Sequence, residues 1–213
     1  DDPAKYVNSP ETPLFKKSRV LYGLDLPAGR QVATRQAIRK LDCILLVEGQ
    51  FDLILSHQSG LPFSVALSGT ALTPDHLSIL GKLSKRLVLA LDADQAGLRS
   101  GLRSSHMALV AGFDVKVPVF PDGKDPADIA RENPELLKTA IRTSKTAVEF
   151  FLDALRRTLP VGKQGDARAY AKLVEAQVLP LVAAVESKIE QEQFIRIVAV
   201  RLGVSESAVR AEL

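Results

Sequence analysis

The chain has 213 residues, of which 46% are hydrophobic and 25% charged, a balance that suits one large or two small globular domains. One cysteine, Cys43, excludes a disulfide framework and a cysteine-based zinc site, and no apolar run is long enough to span a bilayer or mark a signal peptide. A formal net charge of +3 is compatible with a polyanionic partner, and a reducing cytoplasm without membrane attachment is the expected setting.

Residues 1–35 carry Pro3, Pro10 and Pro13, which exclude regular helix, so this stretch is expected to run extended over a surface. Lys16, Lys17 and Arg19 follow as a short basic cluster, readable as solvated surface or as a contact for an anion. Leu26 to Arg35, with Pro27 and Gly29, reads as a loop before a helix-prone stretch, Gln36–Lys40. The chain opens with Asp1-Asp2-Pro3, from which a longer parent protein is expected.

From Leu41 strands and helices alternate. Apolar runs at Cys43–Val47, Phe63–Leu67, Leu87–Leu91 and Val115–Phe120 predict four strands. Helical spacing falls at Asp52–Gln58, from Thr73-Pro74 to about Ser84, and at Leu98–Val110. Thr73 is a natural N-cap and Pro74 a natural first helical residue. The central run, Leu87–Leu91, lacks apolar–polar alternation, as a strand buried on both faces does. The expected class is therefore α/β, a mainly parallel sheet flanked by helices with right-handed crossovers. From Glu135 onward the chain reads as helical: an apolar stripe at Ala147–Leu155, a break at Leu159–Gly162, then Asp166–Leu179 and Ser187–Leu202. Gly203 should stop the last of these, and Ser205 should cap a final short helix.

Acidic residues collect where the strands should end. Asp92 and Asp94 follow the central strand, and in extended backbone residues two apart point to the same side. Such a pair repels unless a proton or cation lies between. A helix cap on a solvated loop is the plain alternative. Yet Glu48 follows the first strand, and Asp125 and Asp128 follow the fourth. Ligands of open α/β sheets gather at the carboxyl ends of strands, so these turns jointly point to a divalent metal. With oxygen donors alone, that is a hard cation, Mg²⁺ or Mn²⁺. His57 and His76 lack partners at ligand spacing and read as structural, as does the thiol of Cys43. No GxxxxGK[ST] motif is present.

The order of Glu48-Gly49 after one strand and an Asp-x-Asp after a later one resembles the TOPRIM domain of primases and topoisomerases. KYVNSPETPLF, KKSRVLYGL, VEGQFD, ALSGTALTPDH, LDADQAG and PDGKDPAD together resemble the catalytic core of bacterial DNA primases of the DnaG type. The resemblance implies residues 1–35 as the end of an N-terminal polymerase subdomain with its connecting loop, 36–130 as the TOPRIM domain and 131–213 as a helical subdomain. It implies RNA primer synthesis on single-stranded DNA, with Glu48 as general acid/base beside metals bound by Asp92, Asp94, Asp125, Asp128 and Asp52. Lys5, Asn8 and Lys17 match positions that line the path of template and nucleotide. Ala127 departs from the pattern, standing where a second aspartate is usual, and the neighbouring Asp128 is the candidate replacement. Leu26–Arg35 looks like an insertion. Implied partners are the template, ribonucleoside triphosphates and the RNA primer. A zinc-bearing N-terminal domain and a C-terminal domain that contacts the replicative helicase are expected outside this chain. A TOPRIM nuclease or topoisomerase, and a non-catalytic TOPRIM scaffold, are the rival readings.

Overall fold

Two apolar runs, Ile44-Leu45-Leu46-Val47 and Leu87-Val88-Leu89-Ala90, form the centre of the fold because every one of these side chains is buried. The computed structural model describes residues 10–13, 15–25, 33–91, 95–121, 124–159 and 166–213. Strands β1 (Ile44–Val47), β2 (Ser64–Ala66), β3 (Arg86–Ala90), β4 (Asp114–Val117) and β5 (Lys145–Thr146) make one sheet in the order β2-β1-β3-β4-β5. The first four run parallel, and β5 is antiparallel to β4.

Successive strand residues point to opposite faces, and the two faces feed two apolar cores. Ile44, Leu46, Leu87 and Leu89 pack with Leu77 and Leu80 of α3 (Pro74–Leu80) and with Ala108 and Leu109 of α4 (Gln95–Val110). Leu45, Val47, Val88 and Ala90 pack with Leu53 of α2 (Gln50–Gln58), Ile129 of α5 (Pro126–Glu132), and Leu137 and Ile141 of α6 (Pro134–Arg142). Helices on both faces explain why β1 and β3 lack alternation, whereas β4 alternates, with Asp114 exposed and Lys116 half-buried beside the buried Val115 and Val117. The first helix, α1 (Thr34–Leu41), adds Ile38 to the α3/α4 side.

The C-terminal helices are α7 (Ala147–Thr158), α8 (Ala167–Gln177), α9 (Leu179–Ala183), α10 (Lys188–Leu202) and α11 (Glu206–Ala211). Their Phe151, Leu152, Val174, Val182, Phe194 and Val198 belong to the same continuous core as Ile44 and Leu89. The helix expected at Asp166–Leu179 ends at Gln177, and Pro180 opens a new one. It lies in the first turn of α9, where its missing N–H breaks no helical bond. Gly203 takes φ +68 at the end of α10, and the Ser205 hydroxyl accepts from the Ala208 N–H to start α11, as expected.

Other boundaries differ from the expected ones. Strand β4 stops at Val117 rather than Phe120, and α3 stops at Leu80 ahead of Gly81. Two short helices, each with proline in its first turn, occupy 126–142, and the expected domain boundary after residue 130 falls within α5. Strand β5 has no counterpart in the sequence pattern. Two residues are too few for a periodic signal, and it forms because Lys116↔Thr146 and Val117↔Lys145 pair along β4's free edge. Helix α7 ends with the buried Leu159 as its C-cap, where the break is expected; residues 160–162 and most of the loop at Leu26–Arg35 lie outside the described residues.

Candidate active site at the carboxyl edge of the sheet

Register decides what meets at this edge. Val47 pairs with Ala90 and also with Ala66, so β1, β2 and β3 end level with one another. Glu48 is the first residue beyond β1 and is half-buried. Its carbonyl accepts the Ser68 N–H at 2.9 Å, and the Gln50 amide donates to Ser68 Oγ at 2.7 Å. Ser68 itself adopts φ +55, which turns the loop after β2 toward the loop after β1. Asp92 and Asp94 follow β3 in sequence, two and four residues past the Ala90 that faces Val47; both lie outside the described residues.

Asp52 is the centre of the described part of the site. Only 7% exposed, it accepts the Gly49 N–H on Oδ2 at 2.9 Å and the Ala127 N–H on Oδ1 at 3.0 Å. One carboxylate thus serves the first turn of its own helix and the first turn of α5, where anionic oxygen is favoured by orphan N–H groups. The resemblance puts Asp52 among the metal ligands; the geometry gives both its oxygens a backbone partner and makes it a clamp between two acidic loops. Gly49 belongs to the same device. A Cβ at this position would lie 2.8 Å from Asp52 Oδ2, so the carboxylate can reach the backbone only because the side chain is absent.

Across the clamp, Asp125 caps α5, its Oδ1 accepting the Asp128 N–H at 2.7 Å. Asp125 is half-buried, and its cap uses one oxygen of the two. The Asp128 carboxylate receives Arg131 at 3.0 Å, a partly exposed pair. Of the two, Asp125 is therefore the better donor. Ala127 contributes its backbone N–H to the clamp, a role that does not depend on its side chain.

Lys17 lies in a 3₁₀ turn, Lys17–Arg19, tied to the start of α3. Thr73 Oγ1 donates to the Ser18 carbonyl at 2.6 Å, and the His76 ring Nε2 lies 3.3 Å from the Lys17 carbonyl. A little further on, Tyr22 exchanges both backbone hydrogen bonds with Ala66, at 2.9 and 3.0 Å, so this strip runs along the outer edge of β2. The backbone of Lys17 is thereby held against the start of α3. Lys5 and Asn8 lie outside the described residues.

His76 is fully buried, and burial pushes its pKa down against the raising effect of the Lys17 and Val20 carbonyls. It is a structural histidine, as its sequence context suggests. Cys43 likewise: burial raises its thiol pKa. Tyr170 donates its hydroxyl to the Leu152 carbonyl at 2.9 Å inside the helical part, and Tyr22 belongs to the bridge with Ala66; neither offers a nucleophile to the acidic edge.

Among the described residues no three acidic or His/Cys side chains converge tightly enough to hold a metal by themselves. The donor set at this edge is nevertheless all oxygen, which suits a hard divalent cation. Sequence reasoning misses the roles of Gln50, Ser68 and Gly49. The signal for the last is present, since a glycine directly after a strand-end glutamate marks a close backbone approach.

A mainly parallel sheet with Glu48 at the end of β1 and Asp125 after β4 fits a TOPRIM domain, and residues 45–130 match the Toprim-like family model. Residues 1–27 match the model for the N-terminal domain of the DNA primase catalytic core. The chain is 32% identical over 209 residues to a DNA primase of Clostridium acetobutylicum, covering 98% of this chain and 33% of that protein. It superposes on a DNA primase domain from Pseudomonas aeruginosa with TM-score 0.76 at 28% identity, covering 100% of this chain and 64% of that one. A DnaG primase catalytic domain bound to single-stranded DNA gives TM-score 0.74 at 26% identity, covering 98% and 64%. The chain belongs to the bacterial DnaG-type primases and comprises a TOPRIM-bearing part of their catalytic core. It spans about a third of the length of the curated relatives it matches.

Proposed function

We propose that this chain forms part of a DNA primase that polymerises ribonucleotides into short RNA primers on a single-stranded DNA template. The observation that carries the reading is the pairing of Val47 with Ala90, which sets the strand ends preceding Glu48 and Asp92 side by side within the Toprim-like region. In the reaction a primer 3′-oxygen forms a bond to the α-phosphorus of a nucleoside triphosphate, and the bond from that phosphorus to the pyrophosphate oxygen breaks. Glu48, half-buried at the end of β1, is suited to accept the proton of the attacking hydroxyl. Asp92, Asp94 and Asp125 are the residues that would hold Mg²⁺ or Mn²⁺. Bound there, the cation would lower the pKa of the attacking hydroxyl and offset charge on the leaving oxygens. Asp52 would keep the Glu48 and Asp125 loops in register, and Asp128, paired with Arg131, would act from outside the ligand set. Lys17, with Lys5 and Asn8 ahead of it, would hold phosphates of template or nucleotide in a salt-sensitive and sequence-tolerant way.

The test is primer synthesis on single-stranded DNA with labelled ribonucleotides and Mg²⁺ or Mn²⁺, in a protein that carries this chain, beside its Asp92→Asn variant. Short RNA products that disappear in the variant support the assignment. Synthesis retained by the variant at ordinary Mg²⁺ would sink the metal site. Metal-dependent cutting of DNA without triphosphates would move the reading to a nuclease.

A further inference from the structure

The carboxyl edge of the sheet does not stop at β4. Beyond the carboxyl end of that strand, Val119, Lys145, Phe150, Asp153, Arg156 and Arg157 line an open cleft of about 460 Å³. Val117 pairs with Lys145, so the cleft begins at the level where β4 ends, one strand over from the end of β3.

Its charge is ordered. Asp153 accepts from both Lys145 and Arg201, whose hydrogen bonds outweigh the opposing effect of burial and hold its carboxyl below the usual range. One carboxylate thus fixes two cations and leaves positive charge in excess. The Arg156 guanidinium lies over the Tyr170 ring at 5.4 Å, which holds it without neutralising it. Neither Arg156 nor Arg157 forms an ion pair with a carboxylate among the described residues, and both are exposed. The floor is apolar. Val119 is 40% exposed, and the half-buried Phe150 ring is locked edge-on against Phe151 at 5.2 Å and 88°.

We propose that this cleft is a second nucleic-acid contact, in which Lys145, Arg156 and Arg157 hold the phosphodiester backbone of a single strand while Phe150 and Val119 receive a base. Fixed cations flanking an aromatic surface are what sequence-tolerant single-strand binding requires. A duplex hides its bases and cannot use the apolar floor, so the occupant is a single strand. The polymerase reading supplies the reason for a strand to leave the acidic edge in this direction. The contact itself needs neither metal nor turnover.

The test is fluorescence anisotropy of a labelled oligothymidylate with the intact protein, in EDTA, over a range of salt concentrations. Arg156→Gln/Arg157→Gln is compared with Arg39→Gln/Lys40→Gln, an equal removal of exposed charge on α1, ahead of the amino end of β1. The cleft variant should weaken binding and reduce the slope of log affinity against log salt by about 1.4, roughly 0.7 for each single-strand phosphate no longer neutralised. The control should keep its slope. Equal weakening in both variants, or none in either, would overturn the proposal. So would weakening seen with a duplex of the same length and not with the single strand. Because EDTA excludes catalysis, failure of the primase reading would appear only in the synthesis assay and not here.

Discussion

Replacing Asp52 separates a clamp from a ligand. Its carboxylate is nearly buried and accepts two backbone N–H groups, at 2.9 and 3.0 Å, from the first turns of two different helices. A hydrogen bond to a charged group contributes about 1.5–3 kcal/mol, and loss of a capping carboxylate alone typically costs about 1 kcal/mol. Asp52→Ala removes both bonds and leaves two N–H groups short of a partner, so it should destabilise the fold by about 3 kcal/mol. For a chain of this size that is a fall in Tm of about 6–12 °C. Asp52→Asn keeps one carbonyl oxygen but turns its NH₂ toward a second N–H donor, and about half that loss is expected. The assay is urea unfolding of the three proteins, paired with Mn²⁺ titration at a temperature where all are folded. Metal affinity should fall modestly in both variants, through displacement of the Glu48 and Asp125 loops. Unchanged stability with abolished Mn²⁺ binding would refute the clamp and return Asp52 to the ligand set.

Gly49→Ala should act through the same bonds, since its Cβ would crowd Asp52 Oδ2 at 2.8 Å; a loss of about 1–2 kcal/mol is expected. In an Asp52→Ala background the same change should cost much less, and additive effects in a double-mutant cycle would show that the two residues do not interact. His76 should make the fold acid-sensitive. Its folded-state pKa lies below the ordinary 6.5, so below that pH the unfolded chain binds a proton that the folded chain resists. Its contribution to stability is thus complete above about pH 6.5 and declines as the pH falls toward the folded-state value. His76→Gln should flatten that part of the profile of urea midpoint against pH, and identical profiles for the two proteins would contradict the assignment.

Much of this protein is legible in its residues. Unbroken apolar runs such as Ile44–Val47 and Leu87–Leu91, set between helices, point to strands covered on both faces, and Thr73-Pro74, Gly203 and Ser205 mark their helix ends by local chemistry alone. Glu48 at the end of β1 is equally readable, because a strand's carboxyl end follows from where its apolar run stops. What lies beyond reach depends on separations in space. Strand β5 exists only because β4 has an edge to fill. The helix break near Pro180 can be suspected from the proline, but which side keeps the turn is settled by packing. Asp52 is the clearest case. The resemblance implies a metal ligand, whereas its partner Ala127 lies 75 residues away and enters hydrogen-bonding range only once α2 and α5 pack on the same face of the sheet. A sequence specifies which groups can accept a hydrogen bond; the tertiary fold decides which donors arrive, and a buried carboxylate takes those that do.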